Sequence, residues 1–194
     1  MIFHRKIERH PILQEQLTDL EDVIPNVVSA VPAGEMKITL RRDLNPATDF
    51  YYNLQFEIYR EPYLIWDKET WDSILFACDI YRIEGDGKYI GDVILEDKGM
   101  GTRYIIDFSI LPEYQGKGIG KTVLEEVKNM GRRLLAVTRK ETLDFFLKSG
   151  FVLKRRIRNY YDPGVDGYYL IFVDDGRRTK RESKPGVTRY SPSS

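Results

Sequence analysis

The sequence predicts an α/β fold of the α+β kind, in which about seven strands alternate with helices in one domain. Two patterns carry this prediction. Apolar and polar residues alternate in several short segments, as in half-buried strands, and other segments repeat apolar residues every three or four positions, as in amphipathic helices. The length of 194 residues suits one such domain with flanking extensions.

The first half of the domain is predicted to place two helices between a strand and a hairpin. Apolar and polar residues alternate over 36–42, which predicts the first strand. A helix then opens at Pro46 and ends before Pro62, and a second helix over 68–77 begins behind Asp67 as its N-cap. Two further strands are predicted at 80–84 and 89–95, joined by a glycine-rich turn at 85–87.

The second half begins with the most apolar strand, at 104–111, which Pro112 ends. An apolar stripe over 119–130 predicts the next helix, and a strand at 134–137 completes a right-handed crossover unit. The remaining elements are predicted as a short helix at 141–149 and final strands at 151–160 and 168–173. The full order is β-α-α-β-β-β-α-β-α-β-β.

The two ends of the chain differ from this domain in composition. Residues 1–35 mix charged residues with proline and glycine, which predicts a short helix near 12–23 followed by an irregular connection. From residue 174 the chain loses apolar residues and gains basic ones, a composition that predicts disorder. The predicted organisation is an N-terminal extension at 1–35, a domain at 36–173 and a basic tail at 174–194.

Composition disfavours several classes of function. Thirty basic and thirty acidic residues cancel, so no overall field attracts nucleic acid or a membrane surface. No apolar run approaches the roughly 20 residues of a membrane span, and the single Cys78 cannot form an intramolecular disulfide, so a cytoplasmic setting is expected. His4 and His10 lack the spacing of metal ligands, so no metal site is predicted.

A glycine-rich loop at 115–121, QGKGIGK, lies between the most apolar strand and an amphipathic helix. Its backbone N–H groups converge at the positive end of the helix dipole, and glycine lets an anion approach the backbone. Lys117 and Lys121 add positive charge, so the loop is expected to bind phosphate. A nucleotide-hydrolysing P-loop is disfavoured, because Gln115 stands where the first glycine of that motif is needed.

The segment 111–120, LPEYQGKGIG, resembles the acetyl-CoA-binding motif [QR]-x-x-G-x-[GA] of the GNAT superfamily of N-acetyltransferases, and the predicted element order resembles that family over about 36–173. The resemblance implies the GNAT fold, with a mixed central sheet and helices on both faces. It implies a splayed pair of parallel strands at 104–111 and 134–138 that hold the pantetheine arm of the cosubstrate acetyl-CoA. The implied cosubstrate-binding residues are Ser109, Ile110, Leu111, Gln115, Gly116, Lys117, Gly118, Ile119, Gly120 and Lys121.

The resemblance also implies direct attack of an amine on acetyl-CoA, which requires a base, an oxyanion donor and an acid. Asp107 is the one carboxylate inside the apolar strand and is the candidate base, although a structural role or a water chain stays open. The backbone N–H of Ile110 is the implied oxyanion donor. Phe146 stands where family members commonly place a tyrosine acid, and Arg139 stands where many have an asparagine that touches the cofactor.

The stretch 158–161, RNYY, resembles one in the ribosomal-protein N-terminal acetyltransferases. Tyr160 and Tyr161 are therefore the candidate acids, with aromatic packing as the alternative. The resemblance implies an acceptor that is an amine-bearing small molecule or a peptide N-terminus, and the family's acceptor pocket implies the candidate lining residues Tyr51, Tyr52, Tyr59, Tyr63, Trp66 and Trp71. Acidic residues that could attract a cationic amine are Glu57, Glu61, Asp162 and Asp166.

Two other functions stay open. A degenerate GNAT domain could bind acetyl-CoA or CoA as a sensing or interaction module without efficient turnover, and Phe146 and Arg139 favour this alternative. A nucleic-acid-associated protein could be recruited through the basic stretches 155–158 and 177–181. A homodimer is also left open as the assembly.

Overall fold

The computed structural model describes residues 27–33 and 36–174. The strands among these residues are β1 (Val27–Ala33), β2 (Met36–Asp43), β3 (Asp79–Gly85), β4 (Lys88–Asp97), β5 (Thr102–Ile110), β6 (Arg133–Thr138), β7 (Val152–Asp162) and β8 (Val165–Val173). The α-helices among them are α1 (Thr48–Ile58), α2 (Lys68–Ala77), α3 (Ile119–Val127) and α4 (Lys140–Lys148). Short 3-10 turns occur at Pro62–Leu64, Pro112–Tyr114 and Lys128–Met130.

The strands form one sheet in the order β1-β2-β3-β4-β5-β6-β8-β7. Neighbouring strands are antiparallel except β5 and β6, which run parallel because α3 lies in the connection between them. The second strand of the last hairpin, β8, inserts between β6 and β7. The predicted fold class and the mixed sheet are therefore confirmed.

The N-terminal strand β1 is the main departure from the predicted elements. The predicted irregular connection is wrong here, because this segment pairs antiparallel with β2 from Val27 opposite Arg41 to Ala33 opposite Met36. Without this partner, the outer backbone groups of β2 would be left unpaired at the sheet edge. Backbone pairing therefore extends the sheet beyond the segment in which side-chain alternation was evident.

Two predicted segments lie outside the described residues: the helix near 12–23 and the tail from 175 onward. The division of the chain into an extension, a domain and a tail stays a prediction. Within the described chain, the predicted cap of α2 is present, since the Asp67 side chain accepts a hydrogen bond of 2.8 Å from the Thr70 N–H. The predicted helix at 119–130 is shorter in the structure, because α3 gives way to a 3-10 turn after Val127.

Helices cover both faces of the sheet. On one face, α3 and α4 bury mainly aliphatic and phenylalanine side chains against the strands, including Leu124 and Phe146. On the other face, α1 and α2 bury an aromatic cluster that includes Tyr51 and Trp71. Each helix buries its apolar stripe, so the two cores hold the central strands in place from both sides.

The central strands β5 and β6 separate partway along their length. Their parallel pairing runs from Thr102 opposite Arg133 to Ile105 opposite Ala136, and it ends there although both strands continue. A register shift between β4 and β5 at this point leaves Ile106 as an extra residue, which bends β5. The splayed pair implied by the family resemblance is thus present, and it opens a cleft in the middle of the sheet.

Candidate active site

The glycine-rich loop ends in a left-handed turn at the start of α3. Gly116 and Gly118 have φ values of 74° and 81°, and Gly118 is the N-cap of α3. A Cβ added at either position would meet nothing within 4 Å. Backbone conformation therefore requires glycine here, while the space beside both residues remains open to a ligand.

The backbone N–H groups of the first turn of α3, from Ile119 to Lys121, precede the first helical hydrogen bond and have no acceptor within the helix. The first carbonyl acceptor of α3 is Gly118, which binds Thr122 N–H at 3.1 Å. Unpaired N–H groups at a helix N-terminus attract an anion, and the positive end of the helix dipole adds to this attraction. The loop therefore fits an anionic group such as a phosphate.

Gln115 has a different role from the glycines. Its side-chain Nε2 donates a hydrogen bond of 2.7 Å to the carbonyl oxygen of Ile110, at the end of β5. The side chain thus ties the loop to the strand that borders the cleft. Lys117 and Lys121 are exposed. The Lys117 Nζ lies 5.4 Å from the ring centre of Tyr114, so this positive charge stays close to the loop.

The end of β5 presents backbone groups to the cleft. Leu111 N–H donates to Ile90 O at 2.9 Å, so this group faces β4. Because successive N–H groups of a strand point to opposite edges, Ile110 N–H faces the side on which β6 has parted from β5. Ser109 and Ile110 are buried, and Leu111 is half-buried.

A cavity of about 200 Å³ occupies the cleft. Its walls come from both sheet faces and from the loop after α1, and they include the aromatic side chains Tyr59, Tyr63, Trp66, Phe108, Phe145 and Tyr161. The polar or charged residues of the lining include Asp107, Thr138, Arg139 and Thr142. The site thus combines an apolar wall with a few polar groups, as small-molecule sites usually do.

Asp107 lines this cavity, as the sequence predicted for a candidate base. Its Oδ1 accepts a hydrogen bond from the hydroxyl group of Tyr59, which follows α1. Burial raises the pKa of the Asp107 carboxyl above its ordinary value, against the lowering effect of the Tyr59 hydrogen bond. A raised pKa suits a group that must accept a proton near neutral pH.

A second carboxyl, Asp92 on β4, lies beneath the same cleft and was not predicted from the sequence. Its residue is 2% exposed, and Tyr89 donates to its Oδ2 at 2.5 Å. Burial, followed by the charge of Asp107, raises the pKa of Asp92 to about 8. The available signal was an acidic residue in the apolar strand 89–95, but strand pairing was needed to show that it lies beside Asp107.

The two candidate acids occupy different positions. Tyr161 lines the cavity, and its hydroxyl donates a hydrogen bond of 2.9 Å to the carbonyl of Val137 on β6. Burial, followed by the neighbouring Tyr160, raises the pKa of Tyr161. Tyr160 is 45% exposed and does not belong to the cavity lining, although its hydroxyl lies 3.4 Å from that of Tyr104.

The two positions that differ from the usual family pattern both contact the cavity. Phe146 is buried in the core beneath it and packs edge-on against Phe145 and Phe151. Arg139, just before α4, forms an ion pair of 3.0 Å with Glu61, in the loop after α1. This ion pair joins the two walls of the cleft.

The candidate acceptor residues divide into two groups. Tyr59, Tyr63 and Trp66 line the cavity, whereas Tyr51 and Trp71 stack in the core with ring centres 5.8 Å apart. The remaining aromatic candidate, Tyr52, packs edge-on against Phe56 and is also outside the lining. Of the four acidic candidates, Glu57 and Asp162 are exposed, Asp166 pairs with Arg156, and Glu61 pairs with Arg139 at the cleft.

Among the described residues, no group of three or more His, Cys, Asp or Glu side chains is arranged to hold a metal ion. No helix of residues 36–174 is long and apolar enough to cross a membrane. Burial raises the pKa of the Cys78 thiol, which disfavours the thiolate that a nucleophile would need.

Residues 77–153 match the family model of the acetyltransferase (GNAT) domain. No curated protein matches the chain in sequence. Among solved structures, the ribosomal-protein-S18-alanine N-acetyltransferase from Escherichia coli is similar, with a TM-score of 0.60 and 18% identity over 70% of this chain and 93% of that chain. A GNAT family acetyltransferase from Elizabethkingia anophelis with acetyl-CoA bound has a TM-score of 0.57 and 20% identity over 70% and 97% of the two chains.

A variant of the spermidine N-acetyltransferase SpeG from Vibrio cholerae has a TM-score of 0.55 and 17% identity, over 70% of this chain and 93% of that chain. At these identities the solved structures establish the fold, and the family model covers the central segment that contains the glycine-rich loop and the cleft strands. The chain is therefore a GNAT-fold protein whose residues 77–153 match the GNAT acetyltransferase domain.

Proposed function

We propose that this protein is an N-acetyltransferase that moves an acetyl group from acetyl-CoA to an amine acceptor by direct attack. One observation carries the proposal: Gln115 ties the glycine-rich loop to the end of β5, the strand whose Ile110 N–H faces the parted β6 and whose Asp107 lines the cleft. An anion site beside a base and an oxyanion donor is the arrangement that acyl transfer from CoA requires.

Acetyl-CoA supplies the thioester whose carbonyl carbon the amine attacks. The N–H groups of 116–121 would hold its pyrophosphate, with Lys117 and Lys121 contributing positive charge. The backbone of Ser109 to Leu111 and the facing end of β6 would hold its pantetheine arm. The Gln115 side chain would support this arrangement by fixing the loop to Ile110.

The chemical step is assigned to residues that contact the cleft. Asp107 accepts the proton of the amine, and the Ile110 N–H donates to the carbonyl oxygen as negative charge develops there. Tyr161 donates its proton to the departing thiolate, because it is the candidate acid that lines the cavity. Tyr160 is not assigned this role, since it lies outside the lining.

An amine is the acceptor class that we propose. Asp107 places an acidic group at the cleft, and the aromatic lining can pack around a cation. Two proteins of this fold are named for amine acceptors, one for an alanine of a ribosomal protein and one for spermidine. We therefore expect a peptide N-terminus or a small amine rather than an alcohol.

The second candidate function is a degenerate GNAT domain that binds CoA without efficient turnover. Two observations favour it: Phe146 offers no hydroxyl, and Arg139 is already paired with Glu61 across the cleft. Both functions require the glycine-rich loop, so binding of acetyl-CoA does not distinguish between them. Only measurement of turnover separates the enzyme from the degenerate domain.

The test is calorimetry of acetyl-CoA binding to the full chain, followed by measurement of thiol release in the presence of small amines and N-terminal peptides. Micromolar binding with release that depends on the amine would support the acetyltransferase. Binding without release for any amine would favour the degenerate domain. If acetyl-CoA did not bind at all, both proposals would be overturned.

A further inference from the structure

The register of β4 and β5 places two carboxyl groups next to each other beneath the cleft. Asp92 lies opposite Ser109, and Asp107 lies opposite Ile94, so the two aspartates are diagonal neighbours on one face of the sheet. The two groups are close enough to affect each other's ionisation, since the charge of Asp107 raises the pKa of Asp92. Two carboxyl groups can form a hydrogen bond only if one of them carries a proton.

The two carboxyls differ in their access to the cleft. Asp107 lines the cavity, whereas Asp92 is 2% exposed and does not reach it. Each has a tyrosine donor from a different part of the chain, Tyr59 for Asp107 and Tyr89 for Asp92. Asp92 therefore has no route to a substrate except through Asp107.

No cation forms an ion pair with either carboxyl among the described residues. The charge of Arg82 on β3 lowers the pKa of Tyr89. Its guanidinium lies over the rings of Phe50 and Tyr89, 5.5 Å and 5.4 Å from their centres. Arg139 is paired with Glu61. The other titratable groups near the two carboxyls are tyrosines. The charge of Tyr51 raises the pKa of Tyr89, and the charge of Asp107 raises the pKa of Tyr161.

The Oδ1 atom of Asp92 indicates where a proton would be placed. This atom is buried and has no hydrogen-bond donor within the described part of the chain, and the opposite hydroxyl of Ser109 is also without a partner. An ionised Asp92 would leave a buried, charged oxygen unsatisfied, which is costly. A proton on Oδ1 removes this cost and provides a donor to the carboxylate of Asp107.

We propose that Asp92 is a positioning residue that stays protonated at neutral pH and donates its carboxylic O–H to Asp107. This bond and the Tyr59 bond hold the Asp107 carboxylate while a free lone pair faces the cleft. The assignment of Asp107 as the base rests on the proposed function, but the shared proton does not. The pair then carries one negative charge in the resting enzyme.

The transfer step balances with this assignment. The amine nitrogen forms a bond to the acetyl carbonyl carbon, and the carbon–sulfur bond breaks with its electron pair on sulfur. The proton of the amine passes to Asp107, while Asp92 keeps its own proton. When pH rises through about 8, Asp92 ionises and places a second negative charge beside Asp107.

The direct test is a pH titration of the carboxyl carbons by NMR, on the full chain labelled with ¹³C-aspartate and without substrate. Asp92→Asn and Asp107→Asn assign the two signals. We expect Asp92 to titrate near pH 8 in the native protein and at lower pH in Asp107→Asn, because the like charge is gone. Titration of Asp92 below pH 5, or a titration that Asp107→Asn leaves unchanged, would overturn the proposal.

Activity provides the second test, through the contrast between Asp92→Asn and Asp92→Ala. An asparagine amide donates as a protonated carboxyl does, so Asp92→Asn should keep kcat near pH 7 within about threefold of the native value. The change in kcat that ionisation of Asp92 causes near pH 8 in the native protein should be absent from this variant. Asp92→Ala removes the donor and should lower kcat about tenfold or more. Equal damage by both substitutions at pH 7 would contradict the proposal.

A matched control is Asp43→Asn, because Asp43 accepts a hydrogen bond of 2.8 Å from Tyr51 but lies outside the cavity. This variant should leave the titration of Asp92 in place. Failures of the two proposals can be separated. A protonated Asp92 without acetylation of any amine would refute the enzyme and keep the pair, whereas acetylation with an ionised Asp92 at pH 7 would refute the pair alone.

Discussion

The two sides of the cleft are built in different ways. The anion site is local, because Gly116 to Lys121 are consecutive in the chain and their N–H groups converge through the backbone turn alone. The carboxyl site is assembled from separate elements, with Asp92 on β4, Asp107 on β5 and Tyr59 after α1. Changes in the local site should therefore alter binding of acetyl-CoA, and changes in the assembled site should alter the chemical step.

The largest effect is expected for Asp107→Asn, which tests the chemical side of this comparison. The amide cannot accept the amine proton, so kcat/KM should fall by about 10²–10⁴ while acetyl-CoA binds with unchanged affinity. Kinetics and calorimetry on the same variant measure both quantities. If kcat/KM stayed within twofold of the native value, the proton would have to leave through water instead.

The dependence of stability on pH is the next prediction. Because the pKa of Asp92 is raised to about 8 in the folded state, the unfolded chain loses this proton at much lower pH. The folded state then binds more protons between about pH 4 and pH 8, so the free energy of unfolding falls as pH rises, by up to about 1.4 kcal/mol per pH unit from this group.

Urea unfolding at several pH values measures this slope. Asp92→Asn removes the titrating group and should make the dependence shallower over the same range. A native protein and an Asp92→Asn variant with the same slope would show that Asp92 has an ordinary pKa. Asp43→Asn again provides the matched comparison, since it changes a tyrosine-bonded carboxyl elsewhere in the fold.

The binding side is tested by Gly118→Ala. An alanine at a φ of 81° costs about 1–2 kcal/mol, and its strain is relieved by distorting the turn that orients the N–H groups. We expect the affinity for acetyl-CoA to fall about tenfold. Gly87→Ala is the control, because Gly87 has a φ of 80°, also has open space around its Cβ position, and lies in the β3–β4 turn.

Gly87→Ala should lose a similar amount of stability and keep its affinity for acetyl-CoA. Calorimetry and thermal unfolding of the two variants separate strain from binding. Equal losses of affinity in both would mean that the glycine-rich loop has no special part in binding. Such a result would refute the assignment of the glycine-rich loop as the part of the cleft that binds acetyl-CoA.

An effect no larger than that of Gly118→Ala is expected for Tyr161→Phe. Loss of its hydroxyl removes the candidate acid and the bond to Val137 O, and we expect kcat to fall about tenfold, as for loss of one modest proton donor. Tyr160→Phe is the matched control, since Tyr160 lies outside the cavity lining, and its kcat should be unchanged. A larger loss in Tyr160→Phe than in Tyr161→Phe would reverse this assignment.

Much of the fold could be predicted from the sequence because its signals are local. Alternation and apolar segments identified the strands from β2 to β8, the N-cap signal at Asp67 marked the start of α2, and Pro112 marked the end of β5 to within two residues. The strand β1 was missed, because it is specified by pairing with β2. Pairing partners depend on contacts that sequence periodicity does not describe.

The candidate site shows the same division. The glycine-rich loop and Asp107 were found from residue type and position alone; the structure places Asp107 in the cleft lining and ties the loop to the end of the same strand through Gln115. Tyr160 and Tyr161 are adjacent in sequence, yet only Tyr161 lines the cavity. The partners of Asp107 were not predicted, because Tyr59 and Asp92 reach it from positions 48 residues and 15 residues away in the chain.

The sequence by itself determined the class of fold, the order of the elements and the loop at 115–121, because backbone conformation, hydrophobic periodicity and a helix N-terminus are properties of neighbouring residues. Only the tertiary structure decided that β5 and β6 part after Ile105, that Arg139 pairs with Glu61, and that Asp92 lies beside Asp107. The physical reason is that strand register and burial set the distances between these groups, and those distances control their charge and protonation.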